Sequence, residues 1–168
     1  MNLKEYFEFT ETTKEYPNLV EYDYLVHGIW GEIGEFESII AKRLRGDERY
    51  KDDEVYVNAL KSELGDIYWF LVRLIFPDDN NNYGSALEDT SSNNVKSLSI
   101  SITNIKYNLL DHSYFSLLSN LDSICRILGT TRKEVLELNV KKLTERKNTN
   151  TIKGNGETVS ERFSLGSK

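Results

Sequence analysis

Cysteine is all but missing from this chain: Cys125 stands alone among 168 residues. A single thiol forms no internal disulfide and cannot build a four-thiolate zinc site, which fits a reducing cytoplasm. Histidine is nearly as scarce, with only His27 and His112, so nitrogen-rich zinc sites are improbable as well. Neither histidine has a glutamate three residues before it, which removes the E-x-x-H pairs that a carboxylate-bridged di-iron bundle requires. No stretch approaches 18 apolar residues, and MNLKEYFEF at the start carries no apolar run of signal-peptide type, so neither a membrane span nor a secretory leader is expected. A basic excess is absent too. The 27 acidic and 21 basic side chains leave a charge of −6, which argues against a nucleic-acid polymer or an anionic membrane as the main partner. What remains is an acidic domain long enough to bury a real core. Any metal chemistry it performs must rest on carboxylates.

Helical periodicity dominates the rest. Residues 2–15 place Leu3, Tyr6 and Phe7 at helical spacing, and Tyr16-Pro17 closes the segment because the residue before proline avoids helical dihedrals. Residues 20–45 predict a long second helix with Leu25, Ile29, Ile33, Phe36 and Ile40 on one stripe, stopped at Gly46-Asp47. After a charged link from Asp47 to Asp53, a third helix over residues 54–76 carries Leu60, Leu64, Ile67, Leu71 and Leu74, and Pro77 ends it. Residues 78–94, rich in Asn, Asp and Ser and containing Tyr83-Gly84, read as a long loop. From Ser97 to Ile102 the residues alternate as in a strand. Yet Leu98, Ile102, Ile105 and Leu109 also share a helical face, and an isolated strand would have no partner, so a helix is expected. Residues 114–128 are amphipathic and stop at Gly129. Thr131 with Glu134 forms a capping box for a last helix running to Lys147. The polar tail 148–168 contains Gly154-Asn155-Gly156. The expected architecture is an all-α helical bundle.

Two acidic pairs stand out. Glu32 and Glu35 are spaced i, i+3 on the second helix, and Glu63 and Asp66 are spaced i, i+3 on the third. Three residues turn a helix through about 300°, so each pair shares one face. With Glu32 at 0°, Ile29, Phe36 and Ile40 fall at roughly 40–80°; with Glu63 at 0°, Leu60, Ile67 and Leu71 fall at roughly the same angles. Helices that bury those stripes against each other bring all four carboxylates to one seam. Such a seam needs protons, basic partners or hard cations, and all-oxygen ligation selects magnesium, with manganese as a substitute. Gly28, Gly31, Gly34 and Gly65 lie beside the acids inside the helices, where each costs about 0.5–1 kcal/mol relative to alanine. Close approach of a helix, a ligand or a metal would offset that cost.

At these residues the chain resembles the MazG-like group of all-α nucleoside triphosphate pyrophosphohydrolases, whose signature is E-x-x-E followed by E-x-x-D on the next helix. Gly31-Glu32-Ile33-Gly34-Glu35 is similar to its G-E-A-G-E, and Glu63-Leu64-Gly65-Asp66-Ile67-Tyr68-Trp69-Phe70 to its E-L-G-D-V-L-W-Y. Thr13-Lys14-Glu15-Tyr16-Pro17 resembles the T-A-K-Y-P near many starts. The run from Asn139 through Lys142 and Leu143 to Arg146 matches N-x-x-K-L-x-x-R, and Gly154-Asn155-Gly156-Glu157 the G-S-G-D that often follows. Trp30 and Ile33 depart from the pattern, standing where small residues are usual. So do residues 77–115, which intervene before the Leu128-Gly129 turn.

The resemblance implies one domain over residues 1–147 with 77–115 inserted, assembled as a homodimer or homotetramer. It implies that Glu32, Glu35, Glu63 and Asp66 hold Mg2+ and that a (d)NTP, canonical or damaged, is cleaved to (d)NMP and pyrophosphate; among the carboxylates of the seam, Glu35 is the candidate to take the proton of the attacking water. Asn139, Lys142 and Arg146 would contact phosphate or sugar. Lys42, seven residues beyond Glu35, is a further candidate for phosphate charge; Arg73 bears the same relation to Asp66 but is more readily read as a salt bridge. Trp69 and His27 are candidates for the base. The competing expectation is a non-catalytic scaffold or regulatory oligomer whose acidic seam binds metal.

Overall fold

A computed structural model describes residues 1–77, 98–110 and 114–152. The predicted loop over 78–94, His112 and the Gly154-Asn155-Gly156 turn lie outside the described residues. Among those described there are six α-helices and no strand: α1 Leu3–Glu11, α2 Glu21–Leu44, α3 Asp53–Ile75, α4 Leu98–Leu110, α5 Tyr114–Ile127 and α6 Arg132–Asn148. The fold is an all-α bundle, as the periodicity predicts. No helix among them is long and apolar enough to cross a membrane.

Local chemistry sets the helix ends. Asn2 caps α1 in a reciprocal box with Glu5, and Thr131 does the same for α6 with Glu134. α1 stops earlier than its spacing predicts, because the hydroxyls of Thr12 and Thr13 bond back to the carbonyls of Phe9 and Thr10 and compete with continued helix. Gly46 and Gly129 take positive φ angles of 83° and 64° after α2 and α5, a left-handed conformation that favours glycine because it has no Cβ. The strand-like alternation before Ile102 is helical from Leu98 onward. Its packing partner is α5, so Ile102 and Ile105 are buried on one helical face.

α2 and α3 form the central antiparallel pair. Their connection is pinned by Arg43, whose guanidinium bonds the carbonyls of Tyr50 and Lys51 and pairs with Asp53. The apolar stripes interlock, with Leu25, Ile29, Ile33 and Phe36 from α2 and Leu60, Leu64, Ile67 and Leu71 from α3 all buried. Gly28 is needed for this register: a Cβ there would lie 2.0 Å from Cε1 of Phe70. Gly31 and Gly34, by contrast, face open space, so close packing within the chain offsets the cost of Gly28 but not of these two.

α6 and α1 pack against the other flank of α3, and α5 against α3 and α6. Tyr68 donates to Asp122 at 3.0 Å, and Arg132 also clasps Asp122 through Nε at 2.8 Å and through Nη2, which locks α3, α5 and α6 together. Arg73 is a second lock. Its side chain is 1% exposed and pairs with Glu11 at 2.8 Å and Glu21 at 2.7 Å, while bonding the hydroxyls of Tyr16 and Thr10. It is a structural ion pair that fastens residues 10–21 to α3, the more ordinary of the two roles its spacing allowed.

Candidate metal centre and its cavity

The antiparallel register of α2 on α3 carries Glu32 across to Glu63 and Asp66. One carboxylate oxygen from each lies within 4.8 Å of the other two. Opposite oxygens of an octahedral magnesium shell stand about 4.2 Å apart, at about 2.1 Å from the ion, so the spread of the three donors suits a single hard cation after small side-chain adjustments. All donors are oxygen, a set that favours a hard cation over the softer metals. Glu35, one turn along α2, is exposed and lies outside this set of three. Its charge is nevertheless felt at both Glu32 and Glu63.

The cluster is electrostatically tense without a cation. Burial, then the charges of Asp66, Glu35 and Glu63, push Glu32 up to about 8, with Lys142 opposing. Burial and Asp66 likewise raise Glu63, against Lys142 and Arg146. Burial and Glu32 raise the phenol of Tyr24 nearby. Among the described residues Lys142 and Arg146 oppose these shifts, and a divalent ion would oppose them further.

Asp66 is the most firmly held carboxylate of the three. Asn139 on α6 donates Nδ2–H to its Oδ1 at 2.7 Å. The carbonyl of that amide accepts from Tyr6 at 2.7 Å, and Tyr6 also reaches the backbone oxygen of Gly65 at 3.2 Å. Both ends of the buried Asn139 side chain are therefore used, and its orientation is fixed. Gly65 leaves the room: a Cβ there would meet Cβ of Asn139 at 2.8 Å. Lys142, one turn further on α6, pairs with Oδ2 of Asp66 and bonds Oγ of Ser62 at 3.1 Å. Asn139 and Lys142, expected at phosphate or sugar, thus contact a carboxylate of the seam. The sequence held a signal for Asn139. It falls on the buried face with Val135 and Leu136, and a buried amide must find partners. Tyr6 carried no such signal, since its spacing only marked it as core.

Glu32 and Asp66 open onto a cavity of about 300 Å³ that Tyr24, Trp69, Phe70 and Arg146 also line. Trp69 is 8% exposed, and its Nε1–H donates to Oγ1 of Thr13 at 2.9 Å. It therefore presents a fixed ring as wall and not a free donor. Arg146 lines the cavity too. His27 is exposed on α2 and Lys42 lies near the end of that helix, and neither lines this cavity. An oxygen-only donor set opening onto an aromatic-walled cavity with one guanidinium can hold a hard cation and an anionic ligand that shares it.

No protein-family model, curated protein or solved structure matches the chain.

Proposed function

We propose that the chain is a magnesium-dependent nucleotide pyrophosphohydrolase that cleaves a (d)NTP, canonical or damaged, to (d)NMP and pyrophosphate. The observation that carries this reading is the convergence of Glu32, Glu63 and Asp66 from two helices beside a cavity with aromatic walls and an arginine. The ordered resemblance of the E-x-x-E and E-x-x-D helices to the MazG-like enzymes supports it.

In this reading Glu32, Glu63 and Asp66 hold Mg2+, with Glu35 beside them on α2. A bound magnesium ion would neutralise triphosphate oxygens and acidify a water molecule. Glu35, being exposed and unpartnered by the cluster of three, is the carboxylate available to accept that water's proton. Arg146 offers charge-assisted hydrogen bonds to phosphate oxygens, and Tyr24, Trp69 and Phe70 give the rest of the ligand an apolar wall. The α–β anhydride breaks, and no covalent intermediate with the protein is required.

The test is incubation with a panel of nucleoside triphosphates and Mg2+, measuring pyrophosphate against orthophosphate. Pyrophosphate release that disappears in Asp66→Asn and Glu35→Gln is the expected result. Orthophosphate as sole product contradicts the cleavage position. No release from any nucleotide, with Mg2+ changing only the assembly size, replaces the enzyme by the scaffold.

A further inference from the structure

The two oxygens of Asp66 are held by partners of opposite character. On Oδ1 sits Asn139, a neutral and buried amide whose own orientation Tyr6 fixes. On Oδ2 sits Lys142, a full positive charge on a flexible stem, with about a quarter of its side chain exposed. The first contact aims Asp66 without placing a charge on it, so it does not compete with a cation. The second occupies with a cation the same carboxylate that completes the group of three. Lys142 also lines a separate cavity of about 290 Å³ with Asn58, Ser62, Leu138 and Asn139. Its ammonium can therefore leave Asp66 without displacing core side chains, and Ser62 already offers it a hydroxyl on that path at 3.1 Å.

We propose that Lys142 is a built-in competitor for the divalent cation, occupying Asp66 in the metal-free protein and swinging into the neighbouring cavity when the metal takes that oxygen. The proposal rests on the metal-centre reading above and adds to it how the centre is kept charge-balanced before the ion arrives. It makes intrinsic metal affinity deliberately low. Any anion that draws Lys142 away tightens the metal, and by linkage the metal tightens that anion.

The test uses metal alone, with no turnover. Binding of Mn2+ is read by electron paramagnetic resonance, with Mg2+ as competitor, on the wild type, Lys142→Gln and Lys142→Arg, all at the same near-neutral pH. Removing one unit of competing charge from a partly solvated site should tighten binding in Lys142→Gln about tenfold. Lys142→Arg, which keeps the charge, should stay within about twofold of wild type. Equal or weaker binding by Lys142→Gln, with wild-type binding intact, overturns the competitor role and leaves Lys142 as a support that holds Asp66 in place. Absence of binding in every chain overturns this inference and the metal centre together. The wild type alone supplies a second measurement that needs no folded variant. Acetylation of Lys142 by acetic anhydride, followed by mass spectrometry, should rise several-fold on adding Mg2+ relative to the exposed Lys4. No rise would mean that the ammonium does not move.

Discussion

Glu32→Gln should stabilise the metal-free protein at neutral pH and destabilise it relative to wild type once magnesium is present. The folded-state pKa of Glu32 lies near 8, against 4.5 in a free side chain. Between those values the unfolded chain releases its proton and the folded chain keeps it, so the folded state binds more protons and stability falls as pH rises. Below 4.5 the group costs nothing; above 8 the full cost is present. At pH 7 the interval crossed is about 2.5 pH units, and at about 1.4 kcal/mol per unit the ceiling is about 3.4 kcal/mol. Glu32 is only partly buried, so solvent screening reduces this to about 1–2 kcal/mol. Glutamine has the shape of the protonated acid and removes the penalty. For a chain of this size the gain corresponds to a Tm about 3–6 °C higher in EDTA at pH 7, shrinking to nothing near pH 4.5. On the proposed metal centre, magnesium at a hundredfold excess over Kd would add about 2.7 kcal/mol to the wild type, and little to a variant that has lost one of the three candidate ligands. The order of stabilities should therefore invert. Chemical denaturation at several pH values, with EDTA or Mg2+, measures both effects. A difference between the two chains that is independent of pH, or equal protection of both by Mg2+, would refute the reasoning.

Alanine in place of the helical glycines should split by position. Gly28→Ala drives a Cβ into the ring of Phe70 and should cost about 1–3 kcal/mol in urea unfolding, whereas Gly31→Ala and Gly34→Ala enter open space and should add up to about 1 kcal/mol each to a monomeric chain. Arg73→Met strips the buried charge from Glu11 and Glu21 and should lower stability by about 3 kcal/mol, the low end for a broken buried pair because both acids keep contact with solvent; thermal unfolding followed by circular dichroism checks it. Hydrogen bonds from Arg73, Lys14 and Tyr16 outweigh burial and hold Glu21 down to about 2. The stability it contributes should be present above pH 4.5 and drain away as pH falls towards 2, and a flat acid limb would contradict it. Asn139→Ala leaves the hydroxyl of Tyr6 with Gly65 alone and frees one side of Asp66. It should cost about 1–3 kcal/mol and weaken Mn2+ binding, the opposite of the direction expected for Lys142→Gln.

Much of this molecule is legible in its sequence because helical spacing is a local property. The stripes of α2 and α3, the Thr131 and Glu134 box and the stop at Gly129 are each decided within a few residues. The angular offset between an acidic pair and its own apolar stripe is decided there too. That offset was enough to bring Glu32, Glu63 and Asp66 to one seam once the stripes met. What spacing along one helix cannot reveal is which side chain arrives from a third. Asn139 and Lys142 reach Asp66 only because α6 packs on α3 with Gly65 leaving space between them, and Tyr6 joins them only because α1 crosses both. Arg73 and Asp66 share a helix seven residues apart, yet one is sealed in an ion pair by residues 10–21 and the other faces a cavity. The sequence by itself determined the helices, their buried faces and the acids beside them, since those follow from backbone geometry and the burial of apolar surface. The partner of each charge, and with it the division between structural ion pair and candidate metal ligand, was decided by tertiary packing, because electrostatic energy depends on distances between elements that no local pattern encodes.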